Sequence, residues 1–156
     1  MKPLRVAFSL VLAFSFLYLA LHVEAQTKPN VSGTWKMNAE KSKFERGGPK
    51  AITIKFDQQG SALNESLSIM SDQGERTESF TYTLDGKESL QRVEGEQIKA
   101  TAAWDGPSLI LEFKNDEGFS FRRKVTVSAD GKTMTIDVKQ SSPNGTINDT
   151  VILEKQ

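Results

Sequence analysis

From residue 31 onward the sequence predicts an all-β domain, a single antiparallel up-and-down β-barrel of about 8–10 strands. Three observations predict it. Apolar and polar residues alternate along most segments, Gly or Asp-Gly marks nearly every change of direction, and no segment beyond the amino-terminal stretch sustains a helical apolar period. Short strands joined by tight turns must close on themselves or stack, because open sheet edges template aggregation. Closure is the expected solution, and a small closed barrel is a container.

The stretch before this domain has a different character. Lys2 and Arg5 form a charged beginning, Val6 to Leu21 is apolar apart from Ser9 and Ser15, and Val23-Glu24-Ala25 offers a peptidase site. Residues 1–25 are therefore expected to be a signal peptide, 26–30 a disordered tail and 31–156 the barrel. The apolar stretch falls short of the ~20 residues of a membrane-spanning helix, so no membrane anchor is expected after cleavage. The expected location is secreted or periplasmic. The chain has no cysteine, which excludes a lipidated amino terminus and, for a small exported domain, leans towards a bacterial source.

Charge and chemistry narrow the function. The 20 basic and 20 acidic side chains lose two and one with the signal, so the remainder stays near neutrality. Nucleic acid and anionic membrane are thus not expected partners. The single histidine, His22, lies in the signal, which leaves the domain without His or Cys. Imidazole-activated nucleophiles and the usual zinc and copper ligands are gone. No carboxylate pair or Ser-Lys arrangement has a recognisable spacing, so neither enzyme activity, metal nor cofactor is expected.

The elements follow in order. Val31, Gly33, Trp35 and Met37 share one face of the first strand, with Trp35 expected to plug the barrel base. Asn38 can cap a short helical turn over Ala39 to Phe44, stopped by Gly47-Gly48-Pro49. Ile52, Ile54 and Phe56 then alternate inward, Gln59-Gly60 turns the chain, and Leu63, Leu67 and Ile69 return. Beyond Ser71 to Gly74 come Phe80, Tyr82 and Leu84. Asp85-Gly86 reads as a two-residue hairpin into the weakest strand, Lys87 to Val93. Ile98, Ala100, Ala102 and Trp104 share a face, followed by Leu109, Leu111 and Phe113, then Phe119, Phe121, Val125 and Val127. Met134, Ile136 and Val138 lie beyond Asp130-Gly131, and Pro143-Asn144-Gly145 leads into Ile147, Val151 and Leu153.

Gly33-Thr34-Trp35-Lys36-Met37-Asn38, followed by Lys41-Ser42 and Phe44, resembles the start of small exported bacterial proteins with lipocalin-like domains, most without an assigned function. Gly33-x-Trp35 is also similar to the opening of lipocalins and fatty-acid-binding proteins. The resemblance implies an antiparallel barrel with a ligand cavity. Two departures stand out. Asn38 to Pro49 has room for one turn where fatty-acid-binding proteins insert a two-helix lid, and Val151 and Leu153 stand where their last strand carries a basic-x-aromatic pair.

A specific ligand requires polar groups among the inward apolar ones. Arg123 is in phase with Phe121 and Val125 and, with loops of three and four residues, falls opposite Leu111, which in turn faces Ala102. Arg123 is the expected polar contact, with Tyr82, Trp104, Phe121 and Leu111 around the ligand. A bulge in Arg122-Arg123-Lys124 that swings Arg123 outward is the competing reading. Glu65, Arg76 and Glu78 are also in phase, with Ile69 opposite Arg76 and Leu67 opposite Glu78. They are expected at a solvated rim, since burying them unpaired is costly.

The resulting expectation is an exported, non-enzymatic binding protein that holds a small apolar or amphipathic ligand. The alternative is a protein-interaction module, an inhibitor or accessory subunit of an exported enzyme, built on a filled barrel with a protein partner at its loops.

Overall fold

The computed structural model describes residues 28–93 and 95–156; the expected signal peptide and the first residues of the tail lie outside them. Among these residues there are ten strands: β1 Gly33–Met37, β2 Ala51–Gln59, β3 Ala62–Ser71, β4 Gly74–Thr83, β5 Ser89–Val93, β6 Glu96–Asp105, β7 Ser108–Lys114, β8 Ser120–Val127, β9 Thr133–Ser142 and β10 Gly145–Lys155. They form one antiparallel sheet in the order β4-β3-β2-β1-β10-β9-β8-β7-β6-β5. The up-and-down barrel follows directly from the alternation and the turns. β1 bridges the two halves, since Trp35 lies opposite both Ile54 of β2 and Lys155 of β10.

The barrel is nearly, not fully, closed. β4 and β5 are the two ends of the ladder and share no strand pairing. Between them the Gln91 side chain acts as a substitute peptide group. Its Nε2 donates to the Thr81 carbonyl at 2.6 Å, and the Thr81 N–H donates to its Oε1 at 3.5 Å. This gap explains why Asp85-Gly86 is not a two-residue hairpin. With no ladder to continue, the link from Leu84 to Glu88 turns away, and the Gly86 N–H docks on the Ala102 carbonyl of β6 at 3.0 Å. Gly86 has φ 74°, a conformation that glycine adopts without steric cost.

Asn38 does cap a turn. Its Oδ1 accepts from the Lys41 N–H at 3.1 Å, and its carbonyl accepts from the Ser42 N–H. The turn does not become the short helix expected over Ala39 to Phe44. One residue later, Lys43 is captured by β10, exchanging both backbone hydrogen bonds with Thr150. Among the described residues there is no helix, and hence no two-helix lid.

The core fills one end. Val31, Trp35, Leu63, Leu109, Met134 and Leu153 are all fully enclosed there. Trp35 donates its indole N–H to the Val31 carbonyl at 2.8 Å, and the Lys155 ammonium lies over its ring at 5.2 Å. A buried tryptophan with its one donor satisfied is a structural plug.

Candidate functional site

Arg123 points inward. It stands on β8 opposite Leu111 of β7 and Val138 of β9, and is 4% exposed. No bulge swings it out, because the β7–β8 and β8–β9 pairings run unbroken past it. Its partner comes from the far wall. Glu65, on β3 opposite Phe56 and Phe80, reaches across the interior and is 2% exposed.

Arg123 Nη1 donates to Glu65 Oε1 at 2.5 Å and Nη2 to Oε2 at 2.6 Å, a bidentate, charge-assisted pair. Tyr82 completes the cluster. Its hydroxyl donates to Glu65 Oε2 at 2.8 Å and accepts from Arg123 Nη2 at 3.1 Å. The guanidinium also lies over the Phe113 ring, 5.4 Å from its centroid. Burial alone would lower the arginine's basicity, but Glu65 and Tyr82 outweigh it and hold the guanidinium charged, above its ordinary value. Burial, reinforced by Glu65, pushes the Tyr82 hydroxyl well above its ordinary value despite the opposing Arg123 charge. The cluster is thus a neutral phenol on a charged pair.

Above this cluster the interior opens into a cavity of about 280 Å³. Its lining is mainly apolar: Leu67 and Ile69 of β3, Phe80 of β4, Val93 of β5, Ile98 of β6, Phe113 of β7, and Phe119 and Phe121 at the entry to β8. Arg76, Glu78, Lys114, Arg123 and Gln140 supply the polar lining. All of these lie towards the same barrel end, opposite the Trp35 plug. Among the described residues no helical lid covers its mouth.

Of the five residues expected around a ligand, Arg123 and Phe121 line this cavity. Tyr82 and Leu111 are buried beneath it, Tyr82 opposite Leu63 and Leu111 opposite Ala102. Trp104 pairs with Leu109 at the plugged end. The alternating phase put all five inward correctly, but phase carries no information on height along the barrel. The rim placement of Glu65 is corrected: it is the most deeply buried charge among the described residues, and Arg123 is the partner that makes its burial tolerable. Arg76 and Glu78 do pair with each other, Nε to Oε1 at 3.2 Å, nearer the mouth. The signal for the cluster was present as two opposite charges on inward faces, 58 residues apart.

What the arrangement offers chemically is enclosure. No group of three or more potential metal ligands occurs among the described residues. The polar groups of the interior are spent mainly on each other.

No family model and no curated protein matches the sequence. Solved structures do share its fold. A secretary abundant heat soluble (SAHS) protein from Ramazzottius varieornatus superposes with a TM-score of 0.66 at 14% identity, covering 81% of this chain and 95% of that one. The REP1-NXSQ fatty acid transporter follows at a TM-score of 0.60, 17% identity, and 80% and 95% coverage. The zebrafish ileal bile acid-binding protein, complexed with cholic acid, gives 0.54 at 14% identity, with 80% and 98% coverage. The likeness is one of fold: an antiparallel up-and-down β-barrel.

Proposed function

We propose that the protein binds a small apolar or amphipathic molecule in the cavity at the open end of the barrel. The observation that carries this is the cavity itself: about 280 Å³, walled by Leu67, Ile69, Phe80, Ile98, Phe113 and Phe121, on a barrel whose other end is plugged. That volume lies just under the ~300–1,000 Å³ typical of small-molecule sites, and apolar walls with a few polar groups are the usual composition. It suits a compact ligand, or one end of a longer molecule that protrudes from the mouth. Barrels of the same fold include a fatty acid transporter and a bile acid-binding protein, which supports the reading. Binding without chemistry is the role, since the domain has neither His nor Cys and the one carboxylate buried among the described residues, Glu65, is locked in an ion pair. The charged and apolar features of residues 1–25 support export.

The test is a fluorescence titration with an uncharged apolar dye, N-phenyl-naphthylamine, on the protein and on Ile98→Trp, which fills the cavity. Saturable enhancement that Ile98→Trp abolishes is the expected result. Enhancement unchanged in Ile98→Trp would place the dye elsewhere and remove the proposal.

A further inference from the structure

We infer that Glu65 is the specificity-determining residue of this cavity, and that it selects uncharged ligands over anionic ones. The inference rests on the binding reading above and names its ligand class. A buried arginine at the floor of an apolar cavity would ordinarily be a receptor for a carboxylate, sulfonate or phosphate headgroup. Here the receptor is already occupied from within. The two Glu65 oxygens take Nη1 and Nη2 at 2.5 and 2.6 Å, and the Tyr82 hydroxyl takes a further contact on Nη2 at 3.1 Å. The remaining nitrogen, Nε, has no partner, but it is enclosed, so a headgroup cannot reach it without displacing its surroundings. An anion carried to this depth would meet a site with no net charge and a fixed carboxylate beside it, after giving up its own hydration.

The mouth offers no substitute. The other two cations that line the cavity each have a carboxylate alongside: Arg76 has Glu78 at 3.2 Å, and Lys114 has Glu112 at 3.4 Å. Each cation of the cavity wall therefore has a carboxylate of the chain beside it, Glu112 being shared with Arg122 at 3.1 Å. The ligand that fits is neutral, with its apolar part enclosed and any hydroxyl, carbonyl or ether group near Gln140 and the mouth.

The experiment compares N-phenyl-naphthylamine with its sulfonate, anilinonaphthalene sulfonate, which differs by one anionic group, at physiological ionic strength. The expected result is binding of the neutral dye at least tenfold tighter. In Glu65→Gln, which unmasks the guanidinium, the anion-to-neutral affinity ratio should rise at least tenfold. Equal or tighter binding of the sulfonate by the unaltered protein would overturn the inference while leaving the binding reading intact. So would an unchanged ratio in folded Glu65→Gln. If Glu65→Gln does not fold, the comparison on the unaltered protein decides alone. Failure of both dyes to bind would remove the binding reading and this inference with it.

Discussion

Replacing Arg123 by Met keeps much of the aliphatic stem and deletes the guanidinium. The structure sets the size of the effect. Glu65, 2% exposed, would lose both its charge-assisted hydrogen bonds and keep only the Tyr82 hydroxyl. Breaking a buried pair by removing one partner costs about 3–5 kcal/mol, because the other charge is left uncompensated. Replacing both partners removes that penalty. The double variant Arg123→Met/Glu65→Leu fills similar space with apolar groups and should recover most of the loss, leaving it within ~1–2 kcal/mol of the unaltered protein. Tyr82 would then lack its acceptor, which accounts for a residual cost of about 1 kcal/mol. Urea denaturation followed by tryptophan fluorescence, with Arg123→Met, Glu65→Leu, the double variant and the parent, gives the coupling energy directly. A single Arg123→Met loss below ~1 kcal/mol would refute the buried-pair account, as would a double variant no better than the sum of the singles.

Three further outcomes are expected. Trp35→Ala should lose about 3–5 kcal/mol in the same denaturation assay, since the indole is fully enclosed at the plugged end; a loss under ~1 kcal/mol would mean that it plugs nothing. Gln91→Ala should raise amide hydrogen exchange in β4 and β5 while costing only about 1 kcal/mol globally, because it removes the side-chain bridge across the gap at Thr81; unchanged exchange at Thr81 would show that the bridge contributes nothing. Tyr82 is the only tyrosine among residues 28–156, so its ionisation is readable by ultraviolet difference spectroscopy. Its folded pKa is raised, so the native state keeps a proton that the unfolded chain releases. That contribution is fully present below the unfolded value, about 10, and is lost as pH rises above it towards the folded value. Tyr82→Phe should flatten this alkaline decline in stability, and an equal decline in both proteins would contradict the assignment.

Much of the fold was legible because the physics that sets it is local. Period-two alternation fixes which side chains face inward, and turn residues fix where the chain reverses, so Leu111 could be placed opposite Arg123 and Ile69 opposite Arg76 by counting alone. Two local signals were overridden by tertiary context. Asp85-Gly86 carries hairpin chemistry but sits where the ladder is interrupted, so Gly86 bonds to β6 instead. Asn38 starts a helical turn that Thr150 ends by capturing Lys43.

The candidate site was legible in part for a different reason. Parity identifies Arg123 and Glu65 as inward, but whether they meet depends on the curvature that brings β3 and β8 face to face. No neighbouring-strand register links them. For the same reason Trp104 and Phe121 look alike in the sequence, although they lie towards opposite ends of the barrel. Height along the axis emerges only when the registers of every strand are added around the sheet.

The central claim, a ligand cavity at the open end above the Glu65–Arg123 pair, is tested most directly by methyl nuclear magnetic resonance during titration with N-phenyl-naphthylamine. Saturating shifts at Leu67, Ile69 and Ile98, with Leu109, Met134 and Leu153 unmoved, are the predicted result. Shifts confined to the plugged end, or none at any methyl while the protein remains folded, would contradict it.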